Sequence, residues 1–184
     1  MKTVNRIADG KVNGATRGPA AVAERRSTDD FKRGKLRVKT IVVPIDFSPE
    51  SKKALRYASR LAAQTGAALR LVHVVEPAPF LNDLANVALV RSDKEVAQEA
   101  AVKLQCLAHD EVQKQTPVQA EVRVGKPHNE IVSLAKVLCA DLIVIATHGY
   151  SGLKHAVLGS TAERVVRHAT CPVLVVREKE KDFA

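Results

Sequence analysis

Two stretches of the 184-residue chain combine residue types that can hold an anion. The first is Pro44-Ile45-Asp46-Phe47-Ser48, where a short apolar run breaks on an aspartate. A carboxylate at the end of a strand can accept hydrogen bonds from a ribose hydroxyl or a ligand amine, and it can equally do no more than shape the turn into the next element. The second stretch runs Ala146-Thr147-His148-Gly149-Tyr150-Ser151-Gly152-Leu153 and, after Lys154 to Leu158, opens a helix with Gly159-Ser160-Thr161. Gly149 and Gly152 let backbone amides approach an anion without a Cβ in the way. Gly159-Ser160-Thr161 places free amides and hydroxyls at a helix N-terminus, where the macrodipole favours negative charge. The competing reading is a pair of turn glycines followed by an ordinary Ser/Thr cap. The spacing is neither GxGxxG nor GxxxxGK[ST], so the dinucleotide fingerprint and the P-loop are both excluded.

Other reactive side chains assemble into nothing comparable. His148 sits inside the candidate loop and is the one histidine with a functional reading, set against a loop histidine bonded to backbone. His73 lies within a strand, where a packed or turn-facing role is expected. His109, His128, His155 and His168 show no HxH or HExxH spacing, so no metal site is expected. Cys139 and Cys171 fall at element ends with no activating base in the sequence. Paired carboxylates and a GxSxG elbow are absent, so the reading is of a non-enzyme, with slow ATP hydrolysis as the most that holding a triphosphate and Mg²⁺ could yield.

The elements that must position these residues repeat a single unit. Val38 to Asp46 is a β-branched run of the kind that is buried on both faces. Ser48-Pro49-Glu50 supplies an N-cap with Pro at the first helical position, and Ala54, Leu55, Ala58, Leu61 and Ala62 follow at helical spacing until Gly66. Leu69 to Val75 is a second strand. Ser92 to Glu95 reads as a capping box for a long helix with Ala97, Ala101, Leu104 and Ala108 on one face. Val118 to Val124 alternates, as expected of an edge or half-exposed strand. Ile131, Leu134, Ala135 and Leu138 mark the next helix, Asp141 to Thr147 the next strand, Ala162, Val165, Val166 and Ala169 the last helix, and Pro172 to Val176 the fifth strand. Strands alternating with helices of this length pair in parallel, giving a five-stranded doubly wound α/β domain that binds ligands at the carboxyl ends of its strands.

Composition narrows the function classes. Residues 1–40 hold 11 Lys+Arg against 4 Asp+Glu, a net +7 of the total +9, which leaves +2 for residues 41–184. The basicity therefore belongs to the first stretch and says little about the folded part. Residues 1–36, with Gly10, Gly14, Gly18, Pro19 and Gly34 among charges, read as a disordered or loosely held basic tail, residues 37–178 as the domain, and 179–184 as a charged C-terminal tail. The basic tail has no aromatic interleaving and no amphipathic stripe, so a solvated extension is favoured over contact with nucleic acid or an acidic surface. No run approaches the roughly 18–20 apolar residues of a membrane span. An apolar segment of about 7–15 residues near the start, as a secretory signal needs, is also missing. Three widely spaced cysteines suit a reducing cytoplasm.

Pro44-Ile45-Asp46-Phe47-Ser48, the run Leu71-Val72-His73-Val74, the segment Ala146 to Leu153 and the block Leu158 to Arg177 together resemble the universal stress protein family, in order and spacing, across about residues 38–178. The resemblance implies a doubly wound, Rossmann-like fold akin to the adenine nucleotide alpha-hydrolases, with strand order 3-2-1-4-5 and homodimerisation through the last strand, Val173 to Val176. Many members of that family bind ATP with the pattern G-x2-G-x9-G-[ST]; others lack the glycines and bind none. Here the pattern starts at Ala146 in place of Gly and continues through Gly149, Gly159 and Ser160. Ala can present the same N–H at negative φ, and only a positive φ would require Gly. By the resemblance, Asp46 holds the ribose, Pro44 and Ile45 line the adenine pocket, and Val74 meets the base through its backbone. Gly149, Gly159, Ser160 and Thr161 hold the phosphates, with His148 and Gly152 in the same loop.

Two readings follow. One is a stress-response protein that binds adenine nucleotide, ATP with or without Mg²⁺, and signals through its dimer or partner surface. The alternative is a dimeric interaction module of the same fold with no nucleotide.

Overall fold

Thr40–Pro44 (β1) carries three consecutive β-branched residues, Ile41, Val42 and Val43, none of them measurably exposed, so the strand has no solvated face. In the computed structural model, which describes residues 37–77, 92–147 and 158–177, β1 is the centre of a five-stranded parallel sheet of order β3-β2-β1-β4-β5. The other strands are Ala68–Val75 (β2), Val118–Val124 (β3), Leu142–Ala146 (β4) and Val173–Val176 (β5). The expected order and parallel sense are those observed. The alternating Val118–Val124 run is an edge strand, since one side of it has no neighbour in the sheet.

The helices stop and start where their cap residues dictate. Pro49–Thr65 (α1) begins behind Ser48, whose hydroxyl accepts the Ser51 amide at 3.1 Å, and ends at Gly66 with φ 76°. That left-handed conformation is open to glycine without penalty. Asp93–Glu111 (α2) begins with the expected capping box, Ser92 and Glu95 each bonding the other's backbone. Pro127–Val137 (α3) and Ser160–His168 (α4) complete the set.

Alternation along the strands sends side chains into two cores. Ile41, Val43, Ile45, Val144 and Ala146 pack with Ala54, Leu55 and Ala58 of α1 and Leu104 and Leu107 of α2. Val42, Val72, Ile143 and Ile145 pack with Ile131, Leu134 and Ala135 of α3 and Ala162 and Val165 of α4. Truncating a fully buried aliphatic such as Leu55 to Ala in such a layer costs about 2–5 kcal/mol.

Two helix stripes differ from expectation. On α2 the buried residues are Ala100, Leu104, Leu107 and Ala108, while Ala97 and Ala101 are only half buried. The two stripes share Leu104 and Ala108, and the bulk of Leu107 turns the helix so that leucines, not alanines, fill the space against the sheet. On α4 the helix ends at His168, Val166 is 46% exposed and Ala169 is its C-cap. The three cysteines form no disulfide, and no described helix is long and apolar enough to cross a membrane. The expected tails, 1–36 and 179–184, lie outside the described residues.

Candidate functional site

The strand register brings the first functional stretch to the second. Pro44 lies opposite Val72 and Val42 opposite Ile143. Counting onward by two and four residues puts Asp46, Val74 and Thr147 at one level, Asp46 and Thr147 just past the carboxyl ends of β1 and β4 and Val74 the penultimate residue of β2. This is the switch point of the sheet, since the crossover from β1 goes one way to β2 while β4 lies on the other side.

At the end of β1 the chain leaves the sheet through a tight turn. Asp46 Oδ1 accepts from both the amide and the hydroxyl of Ser48, and Ser48 in turn caps α1. The carboxylate is thus held in one orientation by the turn it shapes. Both sequence readings of Asp46 have a basis, because one oxygen does the shaping and the group as a whole stays half buried at the strand end. Phe47, between them, has φ 66°, a left-handed conformation that non-glycine residues seldom adopt. Its ring lies 4.7 Å, centroid to centroid, from that of His73 on β2.

His73 closes the strand end. The Ile45 amide donates to the Val72 carbonyl at 2.8 Å, continuing the parallel ladder one residue past β1. The next rung of a regular ladder would run from the Val74 amide to the Ile45 carbonyl. At that carbonyl the ring nitrogen Nδ1 of His73 sits at 2.7 Å. Because a carbonyl only accepts, Nδ1 carries the hydrogen. The backbone of Val74 accordingly points toward the side that β1 has vacated, which is the side the ribose and base are expected to occupy.

The residues expected to line an adenine separate by strand alternation. Ile45 is 3% exposed and packs against the α1 and α2 layer, so its side chain belongs to the core. Pro44 is half buried on the opposite face, and Val74 packs partly against the α3 and α4 layer.

The end expected to hold phosphates is built by β4 and α4. Ala146 is the last residue of β4, opposite Val176, and is not among the positive-φ residues. The alanine in place of glycine therefore asks nothing unusual of the backbone, and its methyl is buried in the core. The Thr147 amide donates to Val176 and its carbonyl accepts the Gly159 amide at 2.7 Å. That second bond fastens the N-terminus of α4 to the end of β4. Gly159 is the N-cap, with φ −68°, and no side chain caps the helix. The first intrahelical bond is Glu163 amide to Gly159 carbonyl, 2.9 Å. The amides of Ser160, Thr161 and Ala162 thus have no partner within the helix, and the Ser/Thr-cap alternative is not what the chain adopts. A φ of −68° does not itself call for glycine, and a polar side chain at this position would cap those amides. His148, Gly149 and Gly152 lie outside the described residues.

Among the described residues no group of three or more His, Cys, Asp or Glu is placed to hold a metal ion. Sequence reasoning placed His73 in a strand facing a turn but not its bond to Ile45; the signal available was a polar ring at the strand position just beyond the end of its neighbour. Nothing in the residue type announced the left-handed Phe47.

Comparison with known proteins adds to this geometry. The profile of the universal stress protein family matches residues 37–177. The chain is 37% identical over 155 residues to Universal stress protein MJ0531 of Methanocaldococcus jannaschii, covering 83% of this chain and 89% of that one. Among solved structures it is similar to universal stress protein UspA from Lactobacillus plantarum, with a TM-score of 0.64 and 26% identity over 78% of this chain and all of that one. It is also similar to a universal stress protein solved in complex with cAMP, with a TM-score of 0.52 and 26% identity, covering 77% of this chain and 98% of that one.

Proposed function

The chain belongs to the universal stress protein family, and on that basis we propose that it binds an adenine nucleotide, with ATP as the ligand, at the carboxyl ends of β1, β2 and β4. The observation that carries this reading is the uncapped first turn of α4, held by the Thr147–Gly159 bond at the same end of the sheet as Asp46. The amides of Ser160, Thr161 and Ala162 supply donors for phosphate oxygens, and the helix dipole adds to them. Asp46, fixed by Ser48, accepts from a ribose hydroxyl. The backbone of Val74 meets the base. Gly149, with His148 and Gly152, completes the phosphate loop, and Mg²⁺ accompanies the triphosphate. The related structure that holds cAMP supports an adenine ligand.

The nucleotide acts as a signal in a stress response rather than as a substrate, because the sequence offers no general base or nucleophile beside it. The protein works as a homodimer paired through β5, the edge strand on which Leu174 is 37% exposed. Its compartment is the cytoplasm, in keeping with cysteines that form no disulfide. The test is to release bound nucleotide from purified protein by heat, separate it by chromatography, and titrate the emptied protein with ATP by calorimetry. An adenine nucleotide in the supernatant or a saturable heat is expected. Neither, at millimolar ATP, would leave the fold as a dimeric interaction module with no nucleotide.

A further inference from the structure

A second concave surface lies on α3, the helix that follows β3. A groove of about 420 Å³ runs between α3 and α4, lined by His128, Asn129, Val132, Ser133, Lys136 and His168. None of these is a strand-end residue. The first five share one face of α3, and His168 ends α4. All but Val132 present hydrogen-bond donors. Arg164, one turn before His168 on α4, and Lys126, at the N-cap of α3, add positive charge that acts on His128.

The surrounding carboxylates do not balance this charge. Glu163 is paired with Arg167 at 2.6 Å and Glu130 with Arg123 at 3.4 Å. Glu76, beyond β2, is the acidic group that acts on His128, and its effect is the smallest of those acting there. His128 is held below the ordinary histidine range by burial first, and then by Arg164, His168 and Lys126. His168 Nδ1 lies 2.8 Å from the Arg164 carbonyl. That carbonyl only accepts, so Nδ1 carries a hydrogen, and Nε2 donates to an anion only when the ring carries its second proton.

We propose that this groove is a binding site for a phosphate dianion, free or carried as a monoester on a small molecule. A phosphate offers several acceptor oxygens and close to two charges at neutral pH, which answers the donors that α3 lines the groove with and the positive charge of Lys136 and Arg164. The volume exceeds that of phosphate alone, and Val132 provides an apolar wall for the remainder of an ester.

Histidine Cε1–H resonances of the full chain, followed over pH at constant ionic strength, test the site. Adding inorganic phosphate neutralises the cations that disfavour protonated His128, so its titration midpoint should rise by roughly half a unit or more. The His168 resonance should move with it, while that of His109 on α2 stays in place. Glycerol 1-phosphate should do the same; an added shift of the Val132 methyls assigns the site to monoesters, and none assigns it to free phosphate. Arg164→Ala combined with Lys136→Ala, both exposed positions, should abolish the rise. A His128 midpoint that ignores both phosphates overturns the proposal, as does a rise that persists undiminished in the double variant. Nucleotide binding at the strand ends is read separately by calorimetry, so the two sites can fail independently.

Discussion

The imidazole of His73 on β2 bonds the Ile45 carbonyl at the end of β1, with Nδ1 at 2.7 Å from the oxygen. A side chain thereby takes the place of a backbone rung at the point where β1 turns into Asp46 and Phe47. The ring is also in contact with Phe47, so one residue steadies both the carbonyl just past the strand and the left-handed residue two positions on. His73→Phe keeps an aromatic partner for Phe47 and deletes the bond. Losing a hydrogen bond to a part-buried carbonyl costs about 1–2 kcal/mol. Urea unfolding should show a loss of that order, and ATP titration should show weaker binding because the Asp46 turn is no longer pinned. An unchanged unfolding midpoint would show that the rung contributes nothing.

The turn that Asp46 holds and the ribose contact proposed for it can be separated by substitution. Asp46→Asn retains Oδ1 as an acceptor for the Ser48 amide and hydroxyl, so thermal stability should stay within about 0.5 kcal/mol. Nucleotide affinity should fall roughly tenfold, as expected for exchanging a charged acceptor for a neutral one. Asp46→Ala loses the turn as well and should be destabilised by about 1–2 kcal/mol. Calorimetric ATP titration beside thermal melts distinguishes them, and an Asn variant that binds ATP like the parent would remove the carboxylate from the site.

Gly159 invites the opposite trade. Its φ of −68° accepts any side chain, so Gly159→Asp would cap α4 and place a negative charge at its positive end. Stability should rise by roughly a few tenths of a kcal/mol. Nucleotide binding should fall by at least about tenfold, because the carboxylate takes the amides and repels phosphate. Melting and ATP titration should move in opposite directions. If both hold steady, the first turn of α4 is not the phosphate site.

Leu174 reports on assembly. With Val173 and Val175 half buried and Leu174 exposed on the edge strand, Leu174→Lys should prevent pairing of β5 with a second copy. Sedimentation at micromolar concentration should give a dimer for the parent and a monomer for the variant. A monomeric parent would exclude the homodimer outright.

Gly66 tests a local rule. At φ 76° a Cβ meets nothing within 4 Å, so Gly66→Ala is purely a matter of backbone strain and should cost about 1 kcal/mol by urea unfolding. A stability equal to the parent would mean that the helix end relaxes to another cap.

What the sequence made legible follows from where local chemistry decides. Buried parallel strands need β-branched runs, so Ile41 to Val43 and Leu142 to Ile145 announced themselves. Ser48, Gly66 and Ser92 act within a few residues of chain and were read as caps from type alone. The face that α2 buries differs from the expected one at two of four positions, Ala100 and Leu107 in place of Ala97 and Ala101, because alanines and leucines differ little in polarity and only packing against the sheet decides between them. The His73 to Ile45 bond spans 28 residues and depends on register, which spacing along the chain does not encode. The conformation of Phe47 is imposed by its neighbours, Asp46 and Ser48 bonded across it and His73 beside it. Strand alternation, by contrast, separates Ile45 from Pro44 on the sequence alone, since adjacent strand residues face opposite layers.

The Thr147–Gly159 bond has a consequence for how such proteins diversify. It joins the two borders of residues 148–158 by a main-chain contact that depends on neither side chain. The entropy of closing a longer stretch between fixed borders grows slowly, by about 0.6 kcal/mol for each doubling of length. The sequence between the borders is thus an exchangeable cassette. It can be lengthened or swapped for another while the sheet and α4 remain in register.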